Sequence, residues 1–109
     1  KNELLIGFVI ASLLEKIFFS FRQNLNIYLY ISIFNDFVAH FATASITSLV
    51  ESFNSQVGNR GFTSARAAHD VALIRELIRR GIDVSAVYDG KWISFAKRVV
   101  LNNKLEIAG

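Results

Sequence analysis

The sequence predicts an all-α protein, built as a stack of helix-turn-helix repeats with short projecting hairpin turns. Three observations support this fold class. Apolar residues recur at helical spacing in the second half of the chain, a glycine follows the clearest of these stretches, and an Asp-Gly tight-turn dipeptide comes after it. Because proline is absent, glycine and asparagine must mark the breaks between elements.

The composition predicts a single domain over residues 1–109, with ample apolar material for one core. The chain has 109 residues, of which 52% are hydrophobic. We expect residues 1–53 to form a hydrophobic helical part in which the repeat pattern fades, and residues 54–109 to form the repeats. Because the chain contains no cysteine, disulfide bonds and thiolate metal sites are excluded, and we expect an intracellular, cytoplasmic location.

The first half of the chain leaves membrane association open as a less favoured alternative. Leu4–Leu14 is apolar but only 11 residues long, which is short of the roughly 20 residues of a membrane-spanning helix. Gln23–Val50 contains only Asp36 and His40 as acidic or basic side chains, and such a group is costly near the centre of a bilayer. Six phenylalanines lie between residues 18 and 41, so a self-assembling helical protein is a further alternative.

The clearest helix is predicted over Val71 to Arg80. Asp70 is placed to cap its first turn, and Gly81 supplies the left-handed residue that ends it. Before it, Thr63 or Ser64 can cap a shorter, alanine-rich helix, so we predict two short antiparallel helices. The longer helix has an apolar face of Leu73, Ile74, Leu77 and Ile78 and a polar face of Arg75, Glu76, Arg79 and Arg80.

A projecting turn and a further helix are predicted next. Residues 82–88 alternate loosely between apolar and polar, and Asp89-Gly90 is a strong tight-turn dipeptide. From Lys91 to Val100 a helix is expected, because a strand would place two neighbouring basic side chains on opposite faces among apolar neighbours. The apolar residues at helical spacing in this stretch are Trp92, Phe95, Ala96, Val99 and Val100.

This order of helix pair, glycine stop, projecting turn and helix is a repeat unit, and its residues resemble an ankyrin repeat. Gly61–Ala68 is similar to the family's Gly-x-Thr-Pro-Leu-His-x-Ala-Ala. Leu77–Ala86 keeps the buried pair of the family's second helix and the glycine that follows it. A further unit is indicated at Ser94, 31 residues after Thr63 and near the family's period of about 33.

The sequence also departs from the family pattern. The proline and the histidine of the family's Thr-Pro-Leu-His tetrapeptide are missing from both units, and the turn between the first two helices is about three residues short. The match is clearest over residues 61–107 and fades before Asn54. Because the family uses the missing histidine to connect neighbouring loops, we expect locally looser repeats.

The resemblance implies a protein-protein interaction module, with hairpin tips and short first helices forming a concave surface for a protein partner. Tryptophan, tyrosine and arginine dominate the energetics of such surfaces, although burial between repeats is the alternative for Trp92. Neither end of the stack has an evident polar cap, which favours either a homo-oligomer or a piece of a longer protein. The expected partner-binding residues are Arg60, Phe62, Arg66, His69, Tyr88, Asp89, Lys91 and Trp92.

We predict no catalytic residues, no metal site and no cofactor, and therefore no enzyme. His40 and His69 lack partners at the spacing of a zinc site, which needs about four ligands, and His69 is expected at the turn between the two short helices. Asp83 and Asp89 fall at turn positions, where aspartate is favoured for hydrogen bonding to the backbone. No glycine-rich phosphate loop or nucleophile motif occurs.

The charge distribution supports nucleic-acid binding as the second hypothesis. Residues 1–59 carry three basic and four acidic side chains, whereas residues 60–109 carry nine basic and five acidic ones. A solvated helix face is the simpler interpretation, because opposite charges are interspersed. The residues that could neutralise phosphates and stack on bases are Arg75, Arg79, Arg80, Lys91, Lys97 and Arg98, with Tyr88 and Trp92.

Overall fold

A computed structural model describes residues 2–109, with side-chain exposure described from residue 6 onward. Contacts divide the chain into two compact units, one ending at Ile31 and the other comprising Ser32–Gly109. Over the described residues the chain is mainly helical with one small strand pair, which confirms the coarse prediction of fold class, and no helix there is long and apolar enough to cross a membrane. The elements are α1 (Asn2–Thr43), α2 (Ile46–Ser55), α3 (Ser64–Arg79), β1 (Val99–Leu101) and β2 (Leu105–Ile107).

Helix α1 is a single continuous helix of 42 residues. It contains no proline and only one glycine, Gly7, so few residues disfavour its continuation. Over residues 6–31 its large apolar side chains are mostly exposed, with Phe8 76% and Ile17 65% exposed. A helix of a globular core instead buries its apolar face against a neighbour.

The second unit begins with the last turns of α1, which are followed by α2. Helix α2 is capped by Ser45, whose Oγ accepts a hydrogen bond from the backbone nitrogen of Ser48 at 3.1 Å. Leu49 and Phe53 lie four residues apart, which places them on one face of α2, and both are completely buried. Phe41 of α1 is buried in the same cluster, so both helices contribute to one core.

Helix α3 is one uninterrupted helix, so the predicted pair of short antiparallel helices is wrong. Thr63 is its N-cap, and Oγ1 of Thr63 accepts a hydrogen bond from the backbone nitrogen of Arg66 at 3.0 Å. Residues 64–79 contain neither glycine nor proline, so nothing interrupts the helix where the turn was expected. Asp70 does not cap a second helix but pairs with Arg66 Nε at 3.4 Å within α3. Gly81, at φ +80°, follows the end of the helix as predicted.

The buried face of α3 differs in part from the predicted one. Leu73 and Leu77 are completely buried, as expected, but Ile78 is 48% exposed. Glu76 was predicted on the solvent face and is only 5% exposed. Its carboxylate accepts hydrogen bonds from two arginine side chains, and this pairing compensates for the loss of water around a buried charge.

The Asp-Gly dipeptide forms the turn that was predicted for it. Tyr88 and Ile93 pair as an antiparallel bridge on its two sides. Gly90, at φ +96°, adopts the left-handed conformation that the turn requires. The backbone nitrogen of Ser94 donates to the carbonyl oxygen of Val87 at 2.8 Å, which extends the pairing by one step.

The helix predicted over residues 91–100 is wrong, because this segment passes from the hairpin into β1. Strand β1 pairs antiparallel with β2, and Val99 lies opposite Ile107. Asn54 of α2 binds both backbone groups of Val99: its Nδ2 donates to the carbonyl oxygen at 3.0 Å, and its Oδ1 accepts from the nitrogen at 2.8 Å. Val99 is buried and Val100 exposed, which is the alternation of a strand.

The second unit has one hydrophobic core, to which its helices and its strand pair contribute. Phe95, from the segment between the hairpin and β1, stacks on Phe53 of α2 with ring centroids 4.6 Å apart. This contact holds the carboxyl side of the hairpin against the helices. The buried members of the core are Phe41, Leu49, Phe53, Ala72, Leu73, Ile74, Leu77, Val84, Val87, Val99 and Leu105.

Candidate functional site

A shallow groove lies where the loop before α3, the first turns of α3 and the hairpin tip meet. We call it the Phe62–Trp92 surface, and its volume is about 400 Å³. It brings together five of the eight expected partner-binding residues, namely Arg60, Phe62, Arg66, Lys91 and Trp92. The complete lining consists of these five together with Gly61, Ala67, Asp70, Val71, Ile93 and Phe95.

Two aromatic side chains provide most of the exposed apolar area of the groove. Phe62 is 84% exposed and Trp92 is 70% exposed, so Trp92 is not buried between elements. Val71, Ile93 and Phe95 add apolar side chains beside them. These three residues were not among the predicted site residues, because only tertiary packing places them on the lining that Phe62 shares. Clustered exposed apolar groups of this kind mark interaction sites more often than ordinary surface.

Arg66 holds the loop that carries Phe62. Its Nη1 donates to the carbonyl oxygens of Asn59 and Gly61, and its Nε pairs with Asp70 at 3.4 Å. Its guanidinium lies over the ring of Phe95, 5.7 Å from the centroid. Because these contacts occupy the guanidinium on several sides, Arg66 positions the loop and is less available to an incoming ligand.

The hairpin tip is held by hydrogen bonds within the turn. Asp89 Oδ1 accepts from the backbone nitrogens of Trp92 at 2.7 Å and Lys91 at 2.8 Å. Both hydrogen bonds lower the pKa of Asp89 below its ordinary value, and the bond from Trp92 contributes more than the bond from Lys91. The Tyr88 hydroxyl donates to the carbonyl oxygen of Gly90 at 2.9 Å. Tyr88 and Asp89 therefore fix the backbone that presents Trp92.

The charged groups around the groove are mostly cationic. Arg60 and Lys91 are exposed on its lining, and Lys91 Nζ lies 5.7 Å from the centroid of the Trp92 ring. Asp70 is only 8% exposed and faces Arg66 and His69, which offsets its charge. An incoming anionic group therefore meets Arg60 and Lys91 without a competing exposed carboxylate on the lining.

His69 does not line this groove. It lies within α3, not at a turn, and its ring packs edge-on against the rings of Phe37 and Phe41 with both centroid distances at 5.2 Å. Its Nδ1 is 2.9 Å from Asp70 Oδ1 and 3.4 Å from Gln56 Nε2. The position predicted for His69 was wrong because it assumed a break in α3, and the side chain instead contributes to packing between α1 and α3.

An ion network at the carboxyl end of α3 was not anticipated. Glu76 accepts from Arg79 Nε at 2.8 Å and from Arg80 Nε at 3.1 Å, and the hydrogen bond from Arg79 is the main cause that lowers the pKa of Glu76 to about 2. Arg80 Nη2 also donates to the carbonyl oxygens of Phe41 at 2.9 Å and Ala44 at 2.6 Å. The signal in the sequence was a glutamate with arginines three and four residues later.

The chemistry of the Phe62–Trp92 surface suits binding through aromatic and cationic groups. Among the residues that the structure describes, no group of three or more His, Cys, Asp or Glu side chains could hold a metal ion. No protein family, curated protein or solved structure matches this chain.

Proposed function

We propose that this protein is a protein-protein interaction module that binds a segment of a partner protein at the Phe62–Trp92 surface. The observation that carries the proposal is the exposure of Phe62 and Trp92, at 84% and 70%, around one groove lined by cations. Binding hot spots are enriched in tryptophan and arginine and lie in pockets from which the partner excludes water. The hairpin tip supports this role, because Asp89 fixes the turn that carries Trp92 before any partner arrives.

The exposed rings supply enough apolar area to drive association. Aromatic side chains bury about 150 to 250 Å² each, so Phe62 and Trp92 together offer about 300 Å² at their observed exposure. At about 25 cal/mol per Å², covering this area contributes about 7 kcal/mol before the entropic cost of association. The partner's own apolar side chains bury a comparable area and contribute about another 7 kcal/mol. An association cost of about 7 kcal/mol then leaves about 7 kcal/mol, so we expect a Kd on the order of 10 μM for a short segment.

The charges on the lining select the partner's chemistry. Arg60 and Lys91 are exposed beside the rings, and Asp70 is paired with Arg66. A partner segment that combines apolar side chains with glutamate or aspartate matches this pattern better than a basic one does. The expected partner is therefore an acidic, apolar peptide segment, and its association should weaken as salt is raised.

The resemblance to ankyrin repeats supports the same placement, because that family binds partners through hairpin tips and first helices. Here the hairpin tip at Lys91 and Trp92 and the first turns of α3 line one groove. The similarity is limited to this one unit, because α3 is a single helix and does not form a helix pair. We propose that binding takes place in the cytoplasm, because a chain without cysteine has no disulfide bond that would need an oxidising compartment.

Selection from a random peptide library on the full chain tests the proposal, followed by calorimetric titration of the recovered peptides. We expect the recovered sequences to combine acidic with aromatic or aliphatic residues. Trp92→Ala should weaken their binding about 30-fold, the equivalent of about 2 kcal/mol at a hot spot. Phe62→Ala should weaken it about tenfold, since a smaller ring is removed.

Ile78→Ala is the matched control, because Ile78 is also an exposed apolar residue of α3, at 48%, but does not line the groove. It should leave peptide affinity unchanged. The helical circular-dichroism signal of all three variants should match that of the parent chain, since each removes an exposed side chain. Recovery of no peptide, or equal affinity of Trp92→Ala and Ile78→Ala for the recovered peptides, would refute the proposal.

Nucleic-acid binding is the second candidate, favoured by the exposed Trp92 ring beside Lys91. It ranks lower because basic residues on α3 are engaged elsewhere: Arg79 binds Glu76, and Arg75 lies over the ring of Phe34 at 5.5 Å. Titration with single-stranded oligonucleotides distinguishes the two functions. Binding that exceeds that of the selected peptides and is lost in Trp92→Ala would favour nucleic acid.

A further inference from the structure

One row of exposed side chains runs along α1 between residues 6 and 31. Its members are separated alternately by four and three residues, an average spacing of 3.5 residues. This is the spacing of the a and d positions of a coiled coil, which keep facing a partner helix as both helices supercoil. The row consists of Ile6, Ile10, Leu13, Ile17, Ser20, Asn24, Ile27 and Ile31.

Six of these eight residues are large and apolar, and all six are at least half exposed within their own unit. Ile17 is the most exposed, at 65%, and Ile31 the least, at 50%. A further apolar set at the adjacent e position, Leu14, Phe21 and Tyr28, is 59%, 65% and 69% exposed. An apolar pattern at a and d that is sustained over about three to four heptads is typical of a coiled coil, and this row spans 26 residues, from Ile6 to Ile31.

We propose that a second copy of this chain covers the row, so that residues 6–31 of two chains form a parallel, in-register coiled coil. The row itself contains the residue types that favour this state. The a positions hold isoleucine at three places and Asn24 at the fourth. Isoleucine at a favours two strands when leucine occupies d, but the d positions here are mixed, namely Ile6, Leu13, Ser20 and Ile27. Partner number and register are therefore set by Asn24, since a single asparagine at a specifies both through a hydrogen bond between the two copies.

The two polar members of the row decide the orientation. In a parallel, in-register pair, Asn24 faces Asn24 of the other copy, and Ser20 faces Ser20, so each polar group meets one that can hydrogen-bond with it. An antiparallel pair centred on the row would instead place Asn24 against Leu13, and Ser20 against Ile17. Covering an amide or a hydroxyl with an aliphatic side chain leaves its hydrogen bonds unmade.

The area available matches what a stable dimer needs. The six apolar members of the row and the three e-position residues each expose on the order of 100 Å² at the fractions observed. Their burial would remove about 900 Å² from water on each chain, comparable with the roughly 800 Å² per partner of a standard-size interface. A single copy in water would leave this area exposed, well above the patch size of ordinary monomers.

Sedimentation equilibrium of the full chain tests the dimer with two matched variants, Ile17→Lys and Phe19→Lys. Both replace a large apolar residue of similar exposure, 65% and 63%, with lysine on the same helix. Only Ile17 lies in the row, since Phe19 occupies a c position on the far side. We expect Ile17→Lys to raise the dimer dissociation constant at least about a hundredfold and Phe19→Lys to change it less than about threefold.

Cysteine cross-linking tests the orientation, because the chain has no cysteine of its own. In Asn24→Cys, the two thiols would face each other in a parallel pair, whereas in an antiparallel pair eleven residues along the helix, about 16 Å, would separate them. Asn26→Cys is the control, an exposed asparagine at a c position. We expect mild oxidation to convert the first variant to a covalent dimer and to leave the second mostly uncross-linked.

Three results would overturn the proposal. They are a monomeric full chain at all concentrations reached, equal effects of Ile17→Lys and Phe19→Lys, and cross-linking of Asn26→Cys as readily as Asn24→Cys. Binding of a monomeric chain to phosphatidylcholine vesicles would assign the apolar row to lipid instead. The proposed peptide binding is tested separately: Ile17→Lys should leave peptide affinity intact, and Trp92→Ala should leave the dimer intact.

Discussion

Asn54→Ala should be among the most destabilising polar substitutions in the second unit. The Asn54 side chain makes two hydrogen bonds to the backbone of Val99, at 3.0 and 2.8 Å, across 45 residues of sequence. A hydrogen bond contributes about 0.5 to 1.5 kcal/mol, and a buried backbone group left without a partner costs more. Val99 is only 1% exposed, so water replaces the lost partner poorly. We therefore expect the free energy of unfolding to fall by about 2 to 3 kcal/mol.

Urea unfolding followed by circular dichroism measures this loss at one fixed chain concentration, so that any association affects all variants equally. The control is Asn102→Ala, which removes an exposed hydrogen bond of 2.8 Å to Glu106 and should cost at most about 0.5 kcal/mol. The transition midpoint should fall in Asn54→Ala without a change in slope. A loss no larger than that of Asn102→Ala would show that the bonds to Val99 do not hold β1 against α2.

Two further predictions concern the ends of α3 and α1. The pKa of Glu76 is lowered from 4.5 to about 2, chiefly by the hydrogen bond from Arg79. The stabilisation by this carboxylate is therefore complete above the pKa of the unfolded chain and is lost as pH falls towards the pKa of the folded chain. We expect about 1 to 2 kcal/mol, reduced by solvent at the exposed Arg79, to disappear between neutral pH and about pH 3. Urea unfolding at neutral pH and at about pH 3 measures this loss. The free energy of unfolding should fall less between the two pH values in Glu76→Gln than in the exposed control Glu51→Gln. Equal falls would show that Glu76 is not the group responsible. Gly81→Ala should lower stability by about 1 kcal/mol because of the positive φ there, whereas Gly7→Ala, with nothing near its added methyl group, should increase the helical circular-dichroism signal of α1. The distinction between the two glycines would be refuted if Gly81→Ala did not lower stability, or if Gly7→Ala lowered the helical circular-dichroism signal.

Local signals in the sequence predicted local structure well in the second unit. Thr63 caps α3, Leu73 and Leu77 are buried, and Gly81 follows the helix end at positive φ. Each of these depends on groups within about one helical turn, so neighbouring residues are sufficient to indicate them. The turn at Asp89 also formed as expected, because that side chain binds backbone nitrogens two and three residues later.

Structure that depends on distant residues was predicted wrongly. The spacing of Trp92, Phe95 and Val99 fits a helix, yet each residue has a different environment. Trp92 is exposed, Phe95 stacks on a phenylalanine of α2, and Val99 lies in a strand held by Asn54. The spacing of apolar residues does not say which other residues pack against them. Tertiary contacts therefore overrode the helical pattern in this segment.

The Phe62–Trp92 surface shows the same contrast between structure set by neighbouring residues and structure set by distant ones. Arg60, Phe62, Lys91 and Trp92 were each predicted from their position near a loop, but nothing in the sequence says that residues 62 and 92 line one groove. They share it because Arg66 fixes the first loop to α3 and contacts Phe95, which in turn packs on α2. Arg66 stays a predicted partner-binding residue, and its contacts with Asn59, Gly61 and Phe95 also connect the two loops. Its substitution should therefore disorder the groove, whereas loss of Trp92 should remove binding energy and leave the groove's backbone in place.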